Sequence, residues 1–104
     1  MSFLPVAQDL HMSKVTIDLY EELGHLLNPE GWRMLAGKLG YTIGQANNYG
    51  LLQNRVTQEI LTDWSTKKDS NLYTLALYLM QMNRHDCLGK IKDYLERLNR
   101  TTNV

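Results

Sequence analysis

Three consecutive residues carry the side chains best suited to nucleophilic chemistry: His85, Asp86 and Cys87. A thiol becomes a nucleophile when a base within hydrogen-bond reach removes its proton. Residues one or two positions apart on a helix do not face each other, so His85 is poorly placed to act on Cys87. The first turn of a helix lowers the pKa of a thiol, which leaves a reactive Cys87 as an alternative. We expect instead a small, half-buried structural residue.

No other group of residues has the spacing of a catalytic or metal site. The histidines His11, His25 and His85 and the single cysteine lack the intervals typical of metal ligands. Glu21 and Glu22 form a carboxylate pair, which on an exposed helix is usually solvated. The seven glycines are scattered and form no phosphate-binding loop. The sequence therefore predicts no enzyme activity, no cofactor and no metal.

The composition indicates one globular domain in a reducing compartment. The chain has 104 residues, 43% of them hydrophobic and 21% charged, with a formal net charge of zero. A zero balance disfavours nucleic-acid binding, and one cysteine cannot form an internal disulfide. The longest apolar run, Leu75 to Met80, is far shorter than the roughly 20 residues of a membrane span. Because residues 1–5 also lack the features of a secretory signal, we expect a cytoplasmic location, either as a separate protein or as the intracellular part of a receptor.

The elements that must position these side chains are helices. Apolar residues recur at helical spacing in six segments, which are separated by residues typical of turns. The predicted helices run from Ser13 to Leu27, from Trp32 to Leu39, from Thr42 through Tyr49, from after Asn54 to Trp64, from near Ser70 to Met82, and from Asp86 to Leu98. This pattern predicts an all-α fold, a compact six-helix antiparallel bundle. Residues 1–12 would be an N-terminal extension, residues 13–98 the bundle, and residues 99–104 a disordered tail.

Individual residues refine this prediction. Thr42 and Gln45 have the spacing of a capping box at the start of the third helix. The fifth helix is apolar nearly all round, which predicts that its neighbours surround it. Trp32 and Trp64 lie on apolar stripes and are expected in the core.

Three stretches give the chain a family resemblance. Residues 32–40, WRMLAGKLG, resemble the second-helix signature of death domains, and residues 60–64, ILTDW, resemble the fourth. Residues 72–86 resemble the fifth helix and its closing turn. The order and spacing of the three stretches are together specific for this family. The resemblance covers residues 13–98.

The branch of the death-domain superfamily is left open. Residues 32–36 and the Asn48-Tyr49 pair look like netrin-receptor death domains of the uncoordinated type, whereas residues 26–32 are similar to Toll and interleukin-1 pathway adaptors and kinases. The third helix, with Gly44 and Gly50, departs from the acidic or Ile-rich pattern of the family.

The resemblance implies a non-catalytic module that recruits other death-domain proteins into a cytosolic signalling complex, which is apoptotic, innate-immune or receptor-proximal. It implies homotypic or heterotypic assembly, without nucleic acid and without direct membrane insertion. The alternative function is that of a helix-turn-helix nucleic-acid-binding module, built from the third and fourth helices. That module needs a basic recognition helix, but Arg55 is the one basic residue between Lys38 and Lys67.

Charge is divided unevenly along the chain. Residues 1–52 hold three basic and five acidic residues, a net charge of −2, whereas residues 53–104 hold eight basic and six acidic residues, a net charge of +2. Patches of opposite sign on one domain favour head-to-tail contacts. The apolar pair before the fourth helix is equally compatible with an interface and with the core. The candidate protein-binding residues are the acidic Asp18, Glu21 and Glu22, the basic Lys67, Lys68 and Arg84, and the apolar Leu51 and Leu52.

Overall fold

The computed structural model describes residues 10–102, with side chains to residue 98, and this part of the chain forms six α-helices. The helices are α1 (Ile17–Leu27), α2 (Trp32–Lys38), α3 (Ile43–Gly50), α4 (Val56–Trp64), α5 (Leu72–Gln81) and α6 (His85–Thr102). Short 3-10 turns at Met12–Lys14 and Gln53–Arg55 precede α1 and α4. Over residues 10–102 there is no strand, apart from an isolated bridge between His11 and Asn71. The predicted all-α, six-helix fold is confirmed.

The hydrophobic core has two parts. The larger part lies between the N-terminal turn and the helices α1, α2, α4, α5 and α6, and Trp64 is buried in it, as predicted. The smaller part, formed by Ala36, Ala46, Val56 and Ile60, fills the space between α2, α3 and α4. Trp32 packs against both parts but is only half-buried, so its predicted place in the core is correct only in part.

The beginning of the bundle differs from the prediction. Ser13 lies in a 3-10 turn, and extended backbone at Val15 and Thr16 separates that turn from α1. The physical reason is that Val15 is buried and the Thr16 amide donates to the Tyr94 hydroxyl at 3.2 Å, which replaces helical bonding. Met12 is fully buried, so the predicted N-terminal extension already packs into the bundle there. Residues 1–9 lie outside the described residues.

The end of the chain also differs. The sequence placed a disordered tail after Leu98, whereas α6 continues to Thr102. No glycine or proline follows Leu98 to stop the helix. Residues 103–104 lie outside the described residues. Of the described helices, none combines the length and the hydropathy that crossing a membrane requires.

Two predictions about helix environment have different outcomes. The capping box is confirmed: the Gln45 amide donates to Thr42 Oγ1 at 3.1 Å, and the Thr42 amide donates to Gln45 Oε1 at 2.8 Å. The prediction that α5 is surrounded is correct only in part: residues 72–79 are buried or half-buried, whereas Met80 and Gln81 at its C-terminal end are exposed. Tyr73 and Leu77 are among the half-buried residues.

Candidate interaction surfaces

The acidic face, defined as Asp18, Glu21 and Glu22, lies on the outward side of α1. Glu21 is held by two neighbours from the start of α4. Arg55 Nη2 donates to Glu21 Oε1 at 3.1 Å, and Gln58 Nε2 donates to Oε2 at 3.2 Å. These hydrogen bonds, that from Arg55 above all, hold the pKa of Glu21 below its usual value. The carboxylate of Glu21 is therefore ionised and oriented.

The other two carboxylates of the acidic face lie towards α6. Glu22 Oε1 is 3.9 Å from Arg97 Nη2. Asp18 is exposed and forms no ion pair within the described residues. Exposed ion pairs contribute about 0–1 kcal/mol, so a partner can replace them at little cost. Three carboxylates against two guanidinium groups leave this face negative, though less so than the sequence suggested.

The basic loop, defined as Lys67 and Lys68 between α4 and α5, is exposed. Neither lysine forms an ion pair within the described residues. The carbonyl oxygens of both lysines accept hydrogen bonds from His11 Nε2, at 2.8 and 3.1 Å. The structure thereby places His11 at the basic loop, on the 3-10 turn that also carries the exposed Lys14. Sequence reasoning missed both, because 56 residues separate His11 from Lys67 and no local pattern signals their contact.

Arg84 is already engaged within the fold, and its predicted role in binding stays a prediction. Its side chain is 20% exposed. Its guanidinium donates to the Leu26 carbonyl at 2.7 Å and to the Glu30 carbonyl, and it forms an ion pair with Asp86 at 3.0 Å. The hydrogen bonds from Arg84 hold the pKa of Asp86 below its usual value. Arg84 therefore joins the α1–α2 turn to the start of α6.

Gly31 makes this position of Arg84 possible. Its φ of 114° lies in the left-handed region that favours glycine, and a Cβ at this residue would lie 2.5 Å from Arg84 Nη1. The sequence showed Gly31 only as part of a turn.

The apolar pair, Leu51 and Leu52, is exposed by 80% and 43% respectively. Its placement in the core, which the sequence left open, is therefore wrong. A groove of about 480 Å³ lies beside the pair, between the α1–α2 turn and the segment that joins α3 to α4. Its lining residues are Gly24, His25, Asn28, Pro29, Trp32, Gly50, Gln53, Asn54 and Val56.

The Cys87 triplet does not form a reactive site. Cys87 is fully buried rather than half-buried, and burial raises the pKa of its thiol to about 12. The alternative of a lowered pKa is therefore wrong. His85 is exposed at the first position of α6. Within the described residues, no three His, Cys, Asp or Glu side chains are grouped so as to hold a metal ion.

The helix-turn-helix alternative receives no support from this geometry. Arg55, the basic residue that precedes α4, is engaged by Glu21 and lies 3.9 Å from Glu59. The segment from α3 through α4 contains no other lysine or arginine. It therefore lacks the cationic surface that phosphate contacts require.

Comparison with known proteins gives one result that bears on identity. The family model described as Death domain matches residues 18–95, which extend from the first turn of α1 into α6. No solved structure matches the chain significantly. The match does not distinguish the branches of the superfamily. Since it covers well over half of the chain and coincides with the six-helix bundle, the chain belongs to the death domain family.

Proposed function

We propose that this chain is a non-catalytic docking module that recruits another death-domain protein into a cytosolic signalling complex. The observation that supports the proposal is the family match over residues 18–95, because death domains act through contacts between unlike surfaces of neighbouring copies or partners. Apoptotic, innate-immune and receptor-proximal complexes all fit this role. The partner is a second copy of the chain or a different death domain.

The proposed mechanism uses three surfaces. The acidic face and the basic loop have opposite charge and lie on different elements, which suits head-to-tail contacts. Their charges would set the association rate and the choice of partner more than the final affinity. The apolar pair would supply affinity, since burial of a leucine side chain contributes roughly 1.5–3 kcal/mol.

Light scattering on a size-exclusion column, across protein concentrations and at two salt levels, tests the proposal first. A mass that rises above 12.0 kDa with concentration and falls with salt supports self-recruitment. A constant monomer mass directs the search to a panel of purified death domains, measured by biolayer interferometry. Self-association that is absent, together with no binding to any panel member, contradicts the proposal.

Charge reversal on the acidic face tests the mechanism. We expect Glu22→Lys to abolish partner binding while helicity, measured by circular dichroism, stays unchanged, because Glu22 has only the 3.9 Å pair with Arg97 to lose. Asp18→Lys should weaken binding in the same direction. The matched control is Glu30→Lys, which makes the same charge change at an exposed carboxylate on the α1–α2 turn. Retained binding by Glu22→Lys and Asp18→Lys would remove α1 from the interface.

A further inference from the structure

His11 joins two segments that are far apart in the sequence. Its Nδ1 accepts a hydrogen bond from the Ser13 amide at 3.1 Å. An imidazole that accepts at Nδ1 carries its proton on Nε2. Nε2 therefore donates to the Lys67 carbonyl at 2.8 Å and the Lys68 carbonyl at 3.1 Å. One side chain thus caps the N-terminal 3-10 turn and holds the basic loop, together with Ser70, whose Oγ and amide also donate to the Lys67 carbonyl at 3.0 and 3.3 Å.

The backbone on either side of His11 is fixed to the segment that follows the basic loop. The Met12 amide donates to the Ser70 carbonyl at 3.2 Å, and the Leu72 amide donates to the Leu10 carbonyl at 2.9 Å. Met12 is fully buried, which anchors this segment in the core. The anchored backbone therefore presents His11 to the loop as a rigid support.

The same turn adds charge to this end of the bundle. Lys14 is exposed on the 3-10 turn that His11 caps, and like the two lysines of the basic loop it forms no ion pair within the described residues. Asp69 supplies the one carboxylate of the α4–α5 connection. Over the described segments 10–14 and 65–71, three ammonium groups stand against one carboxylate, which gives these segments a net positive charge.

We propose that residues 10–14 are part of the basic docking surface, with His11 as the positioning residue of the Lys67–Lys68 loop and Lys14 as its third cation, and that this surface binds an acidic segment of a partner. The inference rests on the proposed docking function and identifies which part of the chain builds its basic side. A loop whose backbone is already ordered binds better, because less conformational entropy is lost on binding.

Two substitutions separate the two roles of His11. The side chain of Asn extends only to the δ position, so in His11→Asn the Oδ1 atom can still accept from the Ser13 amide. No donor of residue 11 then reaches the loop, and the Lys67 carbonyl retains its hydrogen bonds from Ser70. The Nε2 atom of Gln corresponds in reach to imidazole Nε2, so His11→Gln retains a donor for the Lys67 carbonyl. His25→Asn is the matched control, because His25 is exposed on α1 and lines the groove beside the apolar pair.

The test uses the whole ¹⁵N-labelled chain and nuclear magnetic resonance. Backbone order parameters report the order of residues 67–70, and titration with a ten-residue polyglutamate peptide at low salt reports the surface. We expect the peptide to shift the amide signals of Lys14, Lys67 and Lys68 in the wild type. In His11→Asn the order parameters of the loop should fall below the wild-type values, because the Lys67 carbonyl then accepts from Ser70 but no longer from residue 11. The peptide Kd should rise about threefold or more. His11→Gln and His25→Asn should retain wild-type values.

Three results would overturn the inference. The first is a His11→Asn variant whose loop order matches the wild type. The second is a less ordered loop with an unchanged peptide Kd, and the third is an absence of peptide-induced shifts at the three lysines. Because none of these readouts uses a death domain, they differ from a failure of the proposed function, which the panel of purified death domains reports.

Discussion

Thr57 carries a buried polar atom that finds no partner. Its Oγ1 has no hydrogen bond among the described residues, although the side chain is fully buried. An unsatisfied buried hydroxyl costs about 1–3 kcal/mol. Thr57→Val replaces the hydroxyl by a methyl group of similar volume and keeps the β-branch. We therefore expect Thr57→Val to raise the free energy of unfolding by about 1 kcal/mol, measured by urea denaturation.

Thr57→Ser is the control for this prediction. It keeps the hydroxyl and loses the methyl group, so it should lower the free energy of unfolding by about 1 kcal/mol. A Thr57→Val variant that is less stable than the wild type would show that the hydroxyl makes a favourable contact.

Single residues show where sequence reasoning reached its limit. The burial of Trp64 could be predicted, because its apolar neighbours recur at helical spacing. The pKa of Cys87 could not be predicted. The sequence shows the helix start, which would lower the pKa, but not the burial of the thiol, which raises the pKa to about 12. Gly24 is a second example: a Cβ there would collide with the side chain of Gln58, a close approach of α1 and α4 that only the packed structure reveals.

At the scale of elements, local chemistry was predictable and the environment was not. The capping box of α3 depends on residues three positions apart, so the sequence contained all of it. The start of α1 depends instead on a hydrogen bond from Thr16 to Tyr94, which lies 78 residues away. The exposure of the C-terminal end of α5 depends on how many helices surround it, which its own composition does not show.

The link between the α1–α2 turn and α6 gives a prediction about Arg84. Arg84→Met keeps the apolar stem and removes the donors to the Leu26 and Glu30 carbonyls. Hydrogen bonds from charged groups contribute about 1.5–3 kcal/mol each, and their losses overlap at one site. We expect a loss of about 2–3 kcal/mol in the free energy of unfolding, measured by urea denaturation.

Two further variants serve as controls for the Arg84→Met prediction. Arg33→Met removes an exposed guanidinium that stacks on Trp32 at 4.5 Å, and it should cost about 1 kcal/mol or less. Arg84→Lys should recover only part of the loss, because an ammonium cannot reproduce the planar set of donors. Equal stability of Arg84→Met and the wild type would contradict the structural role given to Arg84.

At the scale of the whole molecule, the sequence predicted which charged residues are exposed but not which of them lie together in space. The charges of Asp18, Lys67 and Lys68 could be read from the sequence, and their exposure agrees with that prediction. The sequence does not show whether a charge is already engaged by another part of the chain, because Arg84 and Glu21 bond to partners from distant segments. Their roles in binding stay predictions.

Because the carboxylates of Glu21 and Asp86 are engaged in the folded protein, its stability depends on pH in the acidic range. The folded pKa values of Glu21 and Asp86 are depressed by hydrogen bonds from Arg55 and Arg84, and the unfolded values are ordinary, near 4. Their contribution is therefore present above the unfolded pKa values and is lost as the pH falls through the folded ones. We expect the midpoint of thermal unfolding to decrease more shallowly between about pH 5 and 3 in an Arg55→Gln/Asp86→Asn double variant than in the wild type. Lys38→Gln is the control, because Lys38 contacts Gln81 rather than a carboxylate, and it should retain the wild-type slope. Equal slopes in the double variant and the wild type would show that these carboxylates have ordinary pKa values in the folded protein.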